Sequence, residues 1–290
     1  MQRRKKKPQA ALLTVHRPES QLRRPVELFR SMIRDLLASR ELAWQLTKRN
    51  ISAQYRQSFL GILWAFIPPV IAAAGLTFAR SSGVVNIQET DLPYPAYVMF
   101  SMTLWQTFVE ALTGPLQAIS GAKTMLVRIN FPREALILTK LGELFFNFGI
   151  KLTLIVGLFV WYRIPITWSV ILAPVALIHL ILFGTFIGLI VATAGALYQD
   201  FSKAIPLVTG FWLLITPVIY PPLKGGLFGK IVQLNPITPL LVTTRELATT
   251  GVISDPQGFW ISSLIGIFGL LFAWLIYRLA IPYIVERMSS

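Results

Sequence analysis

Few side chains in this sequence are arranged for catalysis. The chain contains two histidines, His16 and His179, and no cysteine. A single histidine inside an apolar segment, with no acidic residue nearby, is more often a hydrogen-bonding group between packed helices than a ligand or a base. The lack of cysteine excludes disulfides and thiolate metal sites. We therefore expect no catalytic residue, no metal site and no cofactor bound by this chain.

Two short strings resemble part of a phosphate-binding loop, and both depart from it. Such a loop ends in Gly-Lys-Ser or Gly-Lys-Thr, with another glycine upstream. The string Gly121–Thr124 has alanine before its lysine, and the lysine of Gly229–Ile231 is followed by isoleucine. Any energy for work must therefore come from a partner protein or from an ion gradient.

Four ionisable residues lie within apolar segments, where they are the default candidates for function. They are Glu110, Lys140, Glu143 and Lys151. Lys140 and Glu143 are three residues apart, so they can share a helix face and partly neutralise each other. For all four, structural pairing and the lining of a polar path are equally good interpretations.

Aromatic residues are frequent in three of the apolar segments. Most are expected at membrane interfaces or against lipid. Sugar rings, however, have an apolar C–H face that stacks on aromatic rings, so a channel lined by them would let a saccharide slide. The candidates for such a lining are Trp64, Phe66, Trp105, Phe108, Phe211, Trp212 and Tyr220.

The elements that must position these residues are long apolar segments. Of the 290 residues, 54% are hydrophobic and 14% are charged, whereas ordinary soluble chains are about one quarter charged. A membrane helix needs about 20 apolar residues and must satisfy its own backbone hydrogen bonds. The sequence predicts an all-α integral membrane protein with six spans, over residues 60–79, 94–119, 135–162, 168–197, 204–220 and 259–281.

The distribution of lysine and arginine predicts that both termini are cytoplasmic. Cytoplasmic flanks carry an excess of these residues, and that orientation places the basic cluster from Arg3 to Arg56 inside. The formal net charge of +14 is concentrated on these flanks, where topology and anionic headgroups explain it better than binding to nucleic acid.

Four further segments lie outside the predicted spans. Residues 1–24 are expected to form a basic flexible tail, and residues 25–57 an amphipathic helix in the cytoplasmic interface, because its apolar residues recur at helical spacing. Residues 120–133 are either a short helix or an ordinary basic loop. Residues 221–250 contain apolar pieces too short to span, which predicts short re-entrant helices between spans 5 and 6.

Five strings in order resemble the ABC-2 type permeases that export O-antigen, capsule and teichoic-acid polymers. The resemblance begins near Pro25 and continues to the C-terminus. It departs from the family at Asn50, where aspartate is usual, and at Gln54, where a basic residue is common. The strings are Lys48–Asn50 with Tyr55–Ser58, Leu60, Gly61, Trp64 and Pro68; Asn130–Arg133; Tyr198–Asp200; Trp212 with Thr216–Tyr220; and Leu234–Pro236.

The resemblance implies a transmembrane domain over residues 58–290, a homodimer and two copies of a separate ABC ATPase that binds ATP and magnesium. It implies a bacterial inner-membrane permease, rather than an enzyme, that exports O-antigen-like polysaccharide linked to undecaprenyl diphosphate.

The resemblance also assigns roles to particular segments and residues. Residues 221–250 would form the outer gate. It assigns the lipid diphosphate or a cytoplasmic gate to Arg49, Tyr55 and Arg56, and coupling to the ATPase to Lys123, Met125, Leu126, Arg128 and Ile129.

Two other functions fit the same sequence. An ABC-2 permease for a smaller lipid, a teichoic acid or a drug would share the fold. A gradient-driven carrier or membrane enzyme would use Glu110 and Glu143, although a proton-coupled carrier would be expected to have a denser series of acidic groups.

Overall fold

The computed structural model describes residues 25–56, 59–129, 131–198, 200–222 and 225–289. The predicted tail, and Gln57, Ser58, Asn130 and Gln199 of the strings above, lie outside the described residues. All regular structure within these ranges is helical, which confirms the predicted all-α class. The α-helices are α1 (Pro25–Arg56), α2 (Ile67–Ser81), α3 (Tyr94–Gly121), α4 (Lys123–Arg128), α5 (Glu134–Trp161), α6 (Ala173–Gly195), α7 (Asp200–Leu214), α8 (Gly226–Leu234), α9 (Ile237–Ala248) and α10 (Pro256–Ser289). Two 3-10 helices, Gly61–Ala65 and Trp168–Ile171, precede α2 and α6.

Three helices of the described part are long and apolar enough to cross a membrane. They are α5, α6 and the part of α10 over Pro256–Arg287. Each matches a predicted span, although the fourth predicted span begins with a 3-10 helix before α6, and α10 extends beyond the predicted sixth span at both ends.

The other three predicted spans have shorter or more polar helices. α3 has 28 residues and carries Glu110 together with several hydroxyl residues. α2 has 15 residues, because the chain before Ile67 forms the 3-10 helix and prolines at its first positions favour a new helix start. α7 also has 15 residues and ends two residues before Thr216, whose helical conformation is disfavoured by the following proline.

The bundle is built around α6, which packs most extensively against α10 and α3. Glycines on α6 allow the close approach. A Cβ added at Gly184 would lie 2.8 Å from the Cβ of Ala111, and one at Gly188 would collide with the carbonyl of Leu112. Small residues at membrane helix interfaces let backbones come together in this way.

α1 packs along α5 with one face and leaves another exposed. Leu28, Met32 and Ala43 are buried on the packed face. A Cβ at Gly142 of α5 would be 2.8 Å from the hydroxyl of Thr47. The exposed face carries large apolar side chains at helical spacing: Phe29, Ile33, Leu37 and Trp44.

The far end of α10 is joined to α1 and α5 by Arg278. Its guanidinium lies 2.6 Å from the carboxylate of Asp35 and 3.0 Å from that of Glu134. The same side chain donates a hydrogen bond to the hydroxyl of Ser31 at 3.2 Å. One residue therefore ties together three helices that are far apart in sequence.

Candidate functional site

A cavity of about 760 Å³ lies between α3, α5, α7, the end of α1 and the 3-10 helix that precedes α2. Its apolar side includes Trp64, Ala65, Pro68, Met102, Trp105, Val109, Ile205, Pro206 and Leu213. Its polar side includes Gln54, Tyr55, Gln106, Glu110, Thr113, Asn147, Lys151 and Thr209.

Two of the four predicted membrane charges meet at this cavity. Glu110 of α3 forms an ion pair with Lys151 of α5. The second carboxylate oxygen accepts a hydrogen bond from the amide of Asn147 at 3.4 Å, and the hydroxyl of Tyr55 donates to the amide oxygen of Asn147 at 3.2 Å. Side chains from three helices therefore form one hydrogen-bonded cluster in the cavity wall.

The Tyr55 hydroxyl is a stable donor in this cluster. Burial raises the pKa of Tyr55 above its usual value, and the negative charge of Glu110 raises it further. Both effects disfavour the phenolate. Tyr55, which the resemblance assigned to a lipid-diphosphate site or cytoplasmic gate, thus lies beside the membrane charges as well.

The other two membrane charges form a second cluster on the same helix. Lys140 and Glu143 make the ion pair that their spacing allows, at 2.6 Å. Asn50 of α1 donates to Glu143 at 2.7 Å and accepts hydrogen bonds from Arg49. A cavity of about 420 Å³ lies beside this cluster. It is lined by Arg49, Asn50 and Lys140, by the end of α3 and by the start of α4.

Four polar residues of α5 form a single stripe. Lys140, Glu143, Asn147 and Lys151 are separated by three, four and four residues, which places them on one helix face. The sequence analysis missed Asn147 as a member of this stripe and noted Asn50 only as a departure from the family. The helical spacing was a signal that could have revealed Asn147, whereas the contact with Asn50 depends on how α1 packs.

The structure separates the predicted channel aromatics into different environments. Trp64 and Trp105 line the cavity, and Trp64 is 58% exposed. Phe108 is fully buried and packs edge-to-face on Trp212 at 5.6 Å. Neither Phe108 nor Trp212 lines the cavity, because both fill the space between helices.

The remaining aromatics lie around the cavity or beyond it. Phe211 is 66% exposed on α7, next to the cavity residue Gly210. Phe66 is half-buried where the 3-10 helix ends. The hydroxyl of Tyr220 donates to the carbonyl of Leu214, which closes the irregular segment after α7.

The predicted coupling segment contains the short helix α4. Leu126 is buried, and Met125 is half-buried, while α4 packs against α10. Lys123, Arg128 and Ile129 are exposed. The outward surface of α4 therefore carries Lys123 and Arg128 beside Thr124 and Val127, and Ile129 follows directly after the helix. Leu126 instead serves the packing of this chain.

The segment between α7 and α10 is held by buried polar residues that the sequence analysis did not assign to a site. Asn235 accepts hydrogen bonds from Trp212 at 3.0 Å and from the backbone of Ile237 at 3.2 Å, and donates to Thr216 at 2.9 Å. Arg245, 3% exposed, donates to the hydroxyl of Ser101 at 2.7 Å. These bonds fix α8, α9 and the broken end of α7 to the bundle.

Helices long and apolar enough to cross a membrane, with a partly polar and partly aromatic cavity among them, are typical of a helical membrane protein. The sequence model of the ABC-2 type transporter family matches residues 41–247. Because this match covers most of the chain, the protein belongs to the ABC-2 type transporter family and is a membrane subunit of a transporter.

Three similar proteins carry the same name. The chain is 29% identical over 220 residues to the O-antigen export system permease protein RfbA of Myxococcus xanthus, a match that covers 74% of this chain and 83% of that protein. Two RfbA proteins of Klebsiella pneumoniae are 24% and 22% identical to this chain, and each match covers 72% of this chain and 80% of the relative.

Proposed function

We propose that this chain is the permease subunit of an ABC exporter that moves O-antigen-like polysaccharide, linked to undecaprenyl diphosphate, from the cytoplasm across the inner membrane of a bacterium. The observation that carries the proposal is the match to three O-antigen export permeases over at least 80% of their length. Family membership over residues 41–247 supports the transport class independently of those names.

The cavity wall supports a saccharide as cargo. Trp64 offers an exposed aromatic face, and Gln106, Glu110 and Asn147 offer amide and carboxylate groups within the same cavity. Aromatic faces stack on the C–H faces of sugars, while amides and carboxylates exchange hydrogen bonds with hydroxyl groups. A purely lipidic cargo would not need this polar side.

The proposed topology has six spans with both termini in the cytoplasm. The spans are the 3-10 helix with α2, then α3, α5, α6, α7 with its irregular end, and α10. The short, buried α9 supports a re-entrant position, since non-spanning backbone within a membrane must be covered by protein. α1, with one packed and one exposed apolar face, fits the cytoplasmic interface.

The proposed assembly is a homodimer with two ATPase subunits, and ATP and magnesium are bound by the ATPase. The exposed residues of α4 provide a basic docking surface for that partner. ATP binding closes the ATPase dimer, α4 transmits the motion to α10, against which it packs, and the spans open around the cargo. Arg49 and Arg56, both exposed at the end of α1, receive the lipid diphosphate.

The proposal is tested with purified components. The chain is reconstituted in vesicles with and without the ATPase subunit of its own bacterium, and movement of lipid-diphosphate-linked glycan across the bilayer is measured after ATP is added. We expect transport only with both subunits. Movement of cargo by this chain alone would support a gradient-driven carrier instead, and efflux of a small lipid or drug without movement of glycan would support the smaller-cargo alternative.

A further inference from the structure

The ion pair in the cavity wall is oriented, with its negative end toward the cavity. Glu110 is 33% exposed, whereas Lys151 is 4% exposed. Both line the cavity, and the other described residues of its wall are uncharged. A molecule within the cavity therefore meets mainly the carboxylate, because the side chain of Lys151 is almost fully covered.

The carboxylate of Glu110 retains capacity for a ligand. One of its oxygens pairs with Lys151 and the other accepts a hydrogen bond from Asn147. An ionised carboxylate can accept about four hydrogen bonds. Its partners hold the group in place, and acceptor positions remain available toward the cavity.

Neighbouring polar groups extend this acceptor into a short polar strip. Gln106 and Thr113 lie four residues before and three residues after Glu110 on α3 and also line the cavity. Residues at these separations share a helix face. The strip therefore supplies hydrogen-bond acceptors and donors on one side of the cavity, which sugar hydroxyl groups can use.

We propose that Glu110 selects the charge of the cargo: its carboxylate accepts hydrogen bonds from the hydroxyl groups of a neutral glycan and disfavours glycans that carry carboxylate or phosphate groups. This inference rests on the proposed function of polysaccharide export. Like charges repel more strongly where the membrane and the protein reduce the screening by water. Lys151 offsets this repulsion only in part, because its side chain is almost fully buried and the carboxylate is the charge that the cavity exposes.

The competing explanation is that the ion pair only joins α3 to α5. Reversing the pair separates the two explanations, since Glu110→Lys combined with Lys151→Glu keeps a pair between the same helices and turns its positive end toward the cavity. A purely structural pair predicts unchanged cargo preference. A selecting carboxylate predicts that export of an acidic glycan rises and export of a neutral one falls, each by about tenfold, a factor that corresponds to 1.4 kcal/mol.

The experiment uses cells that lack their own exporter and produce this chain with its ATPase. They make either a neutral lipid-linked hexose polymer or the same polymer with hexuronic acid in its repeat. Surface polymer is measured relative to the intracellular pool, and the amount of transporter is measured in membranes. Glu110→Gln is the second variant, because it preserves the size of the side chain and keeps one acceptor oxygen while it removes the negative charge.

For wild type we expect export of the neutral polymer to exceed export of the acidic one by about tenfold. Glu110→Gln should remove most of that difference, while Glu89→Gln, which alters an exposed carboxylate outside the cavity, should preserve it. Equal export of both polymers by wild type, or an unchanged ratio in Glu110→Gln, overturns the inference and leaves the proposed function intact. Export of neither polymer by wild type overturns both.

Discussion

At the residue scale, Arg245 shows how a cation is kept inside this protein. Its guanidinium donates to the hydroxyl of Ser101 at 2.7 Å and to the carbonyl of Pro217 at 3.3 Å. It also lies 4.1 Å from the centre of the Tyr97 ring. Hydrogen bonds and a ring face compensate the charge for its lost hydration, so Arg245 joins α9 to α3 and to the irregular segment after α7.

Replacement of Arg245 should therefore weaken the fold. We expect Arg245→Met to destabilise the protein by about 1–3 kcal/mol, because it leaves buried polar partners without their donor. Arg245→Lys should have an intermediate effect, since it retains the charge but not the planar fork. The melting temperature of the purified transporter measures both. Arg163→Met, at an exposed position after α5, is the control, and equal melting temperatures for Arg163→Met and Arg245→Met would contradict the assigned role.

Trp64 is the residue for which a direct contact with cargo can be tested. Trp64→Ala removes an exposed ring from the cavity, and we expect glycan export to fall by about 2- to 10-fold, the equivalent of one aromatic contact. Trp260, on α10, is also 58% exposed and does not line the cavity. Trp260→Ala is therefore the matched control, and equal export by the two variants would argue against stacking at Trp64.

At the scale of elements, α4 has two sides with different tasks. Leu126 is buried and packs within this chain, whereas Lys123 and Arg128 are exposed. A helix of six residues is too short to be stable by itself in water, so its position depends on packing against α10. Because α4 is held by α10, its basic side chains have a fixed position on the surface of the protein.

Charge reversal at this surface should uncouple the transporter. We expect Arg128→Glu to reduce the amount of ATPase that co-purifies with the permease, with no change in the melting temperature of the permease itself, because the side chain is exposed. Lys230→Glu, on the exposed surface of α8, is the control. Unchanged co-purification in Arg128→Glu would refute the docking surface.

At the scale of the whole molecule, the cavity is bordered by an apolar surface that a second copy would cover. Leu207, Val208 and Phe211 on α7 are more than half exposed and lie on a helix that lines the cavity. A path for a polymer needs walls on all sides. A homodimer related by a two-fold axis beside α7 would provide them with a single kind of interface.

The absence of cysteine from the sequence makes this arrangement directly testable. A single Phe211→Cys substitution should give a disulfide- or bismaleimide-linked dimer in membranes, because the two copies of α7 would face each other. Leu264→Cys, on an exposed position of α10, an element that does not line the cavity, should remain monomeric on denaturing gels. Equal cross-linking at both positions would indicate random collision and contradict the proposed interface.

Much of the helical framework could be predicted from local sequence. The apolar stretches that form α5, α6 and α10 are long enough to predict membrane-spanning helices from the sequence. Proline and glycine residues indicate the breaks around α8 and α9. The residues at which individual helices end were less predictable. The predicted fifth span continued to residue 220, whereas α7 ends at Leu214, because apolar composition alone does not reveal where the backbone leaves the helix.

By itself the sequence determined the class of the protein, its family and the pair Lys140–Glu143, since apolarity, ordered strings and helical spacing are properties of the chain itself. Only the tertiary structure decided that Glu110 meets Lys151, that Arg245 reaches Ser101 and that Trp64 rather than Phe108 faces the cavity. Each of these contacts joins residues brought together by helix packing, or depends on which side of a helix is covered. The packing of the helices determines both, and no single segment encodes it.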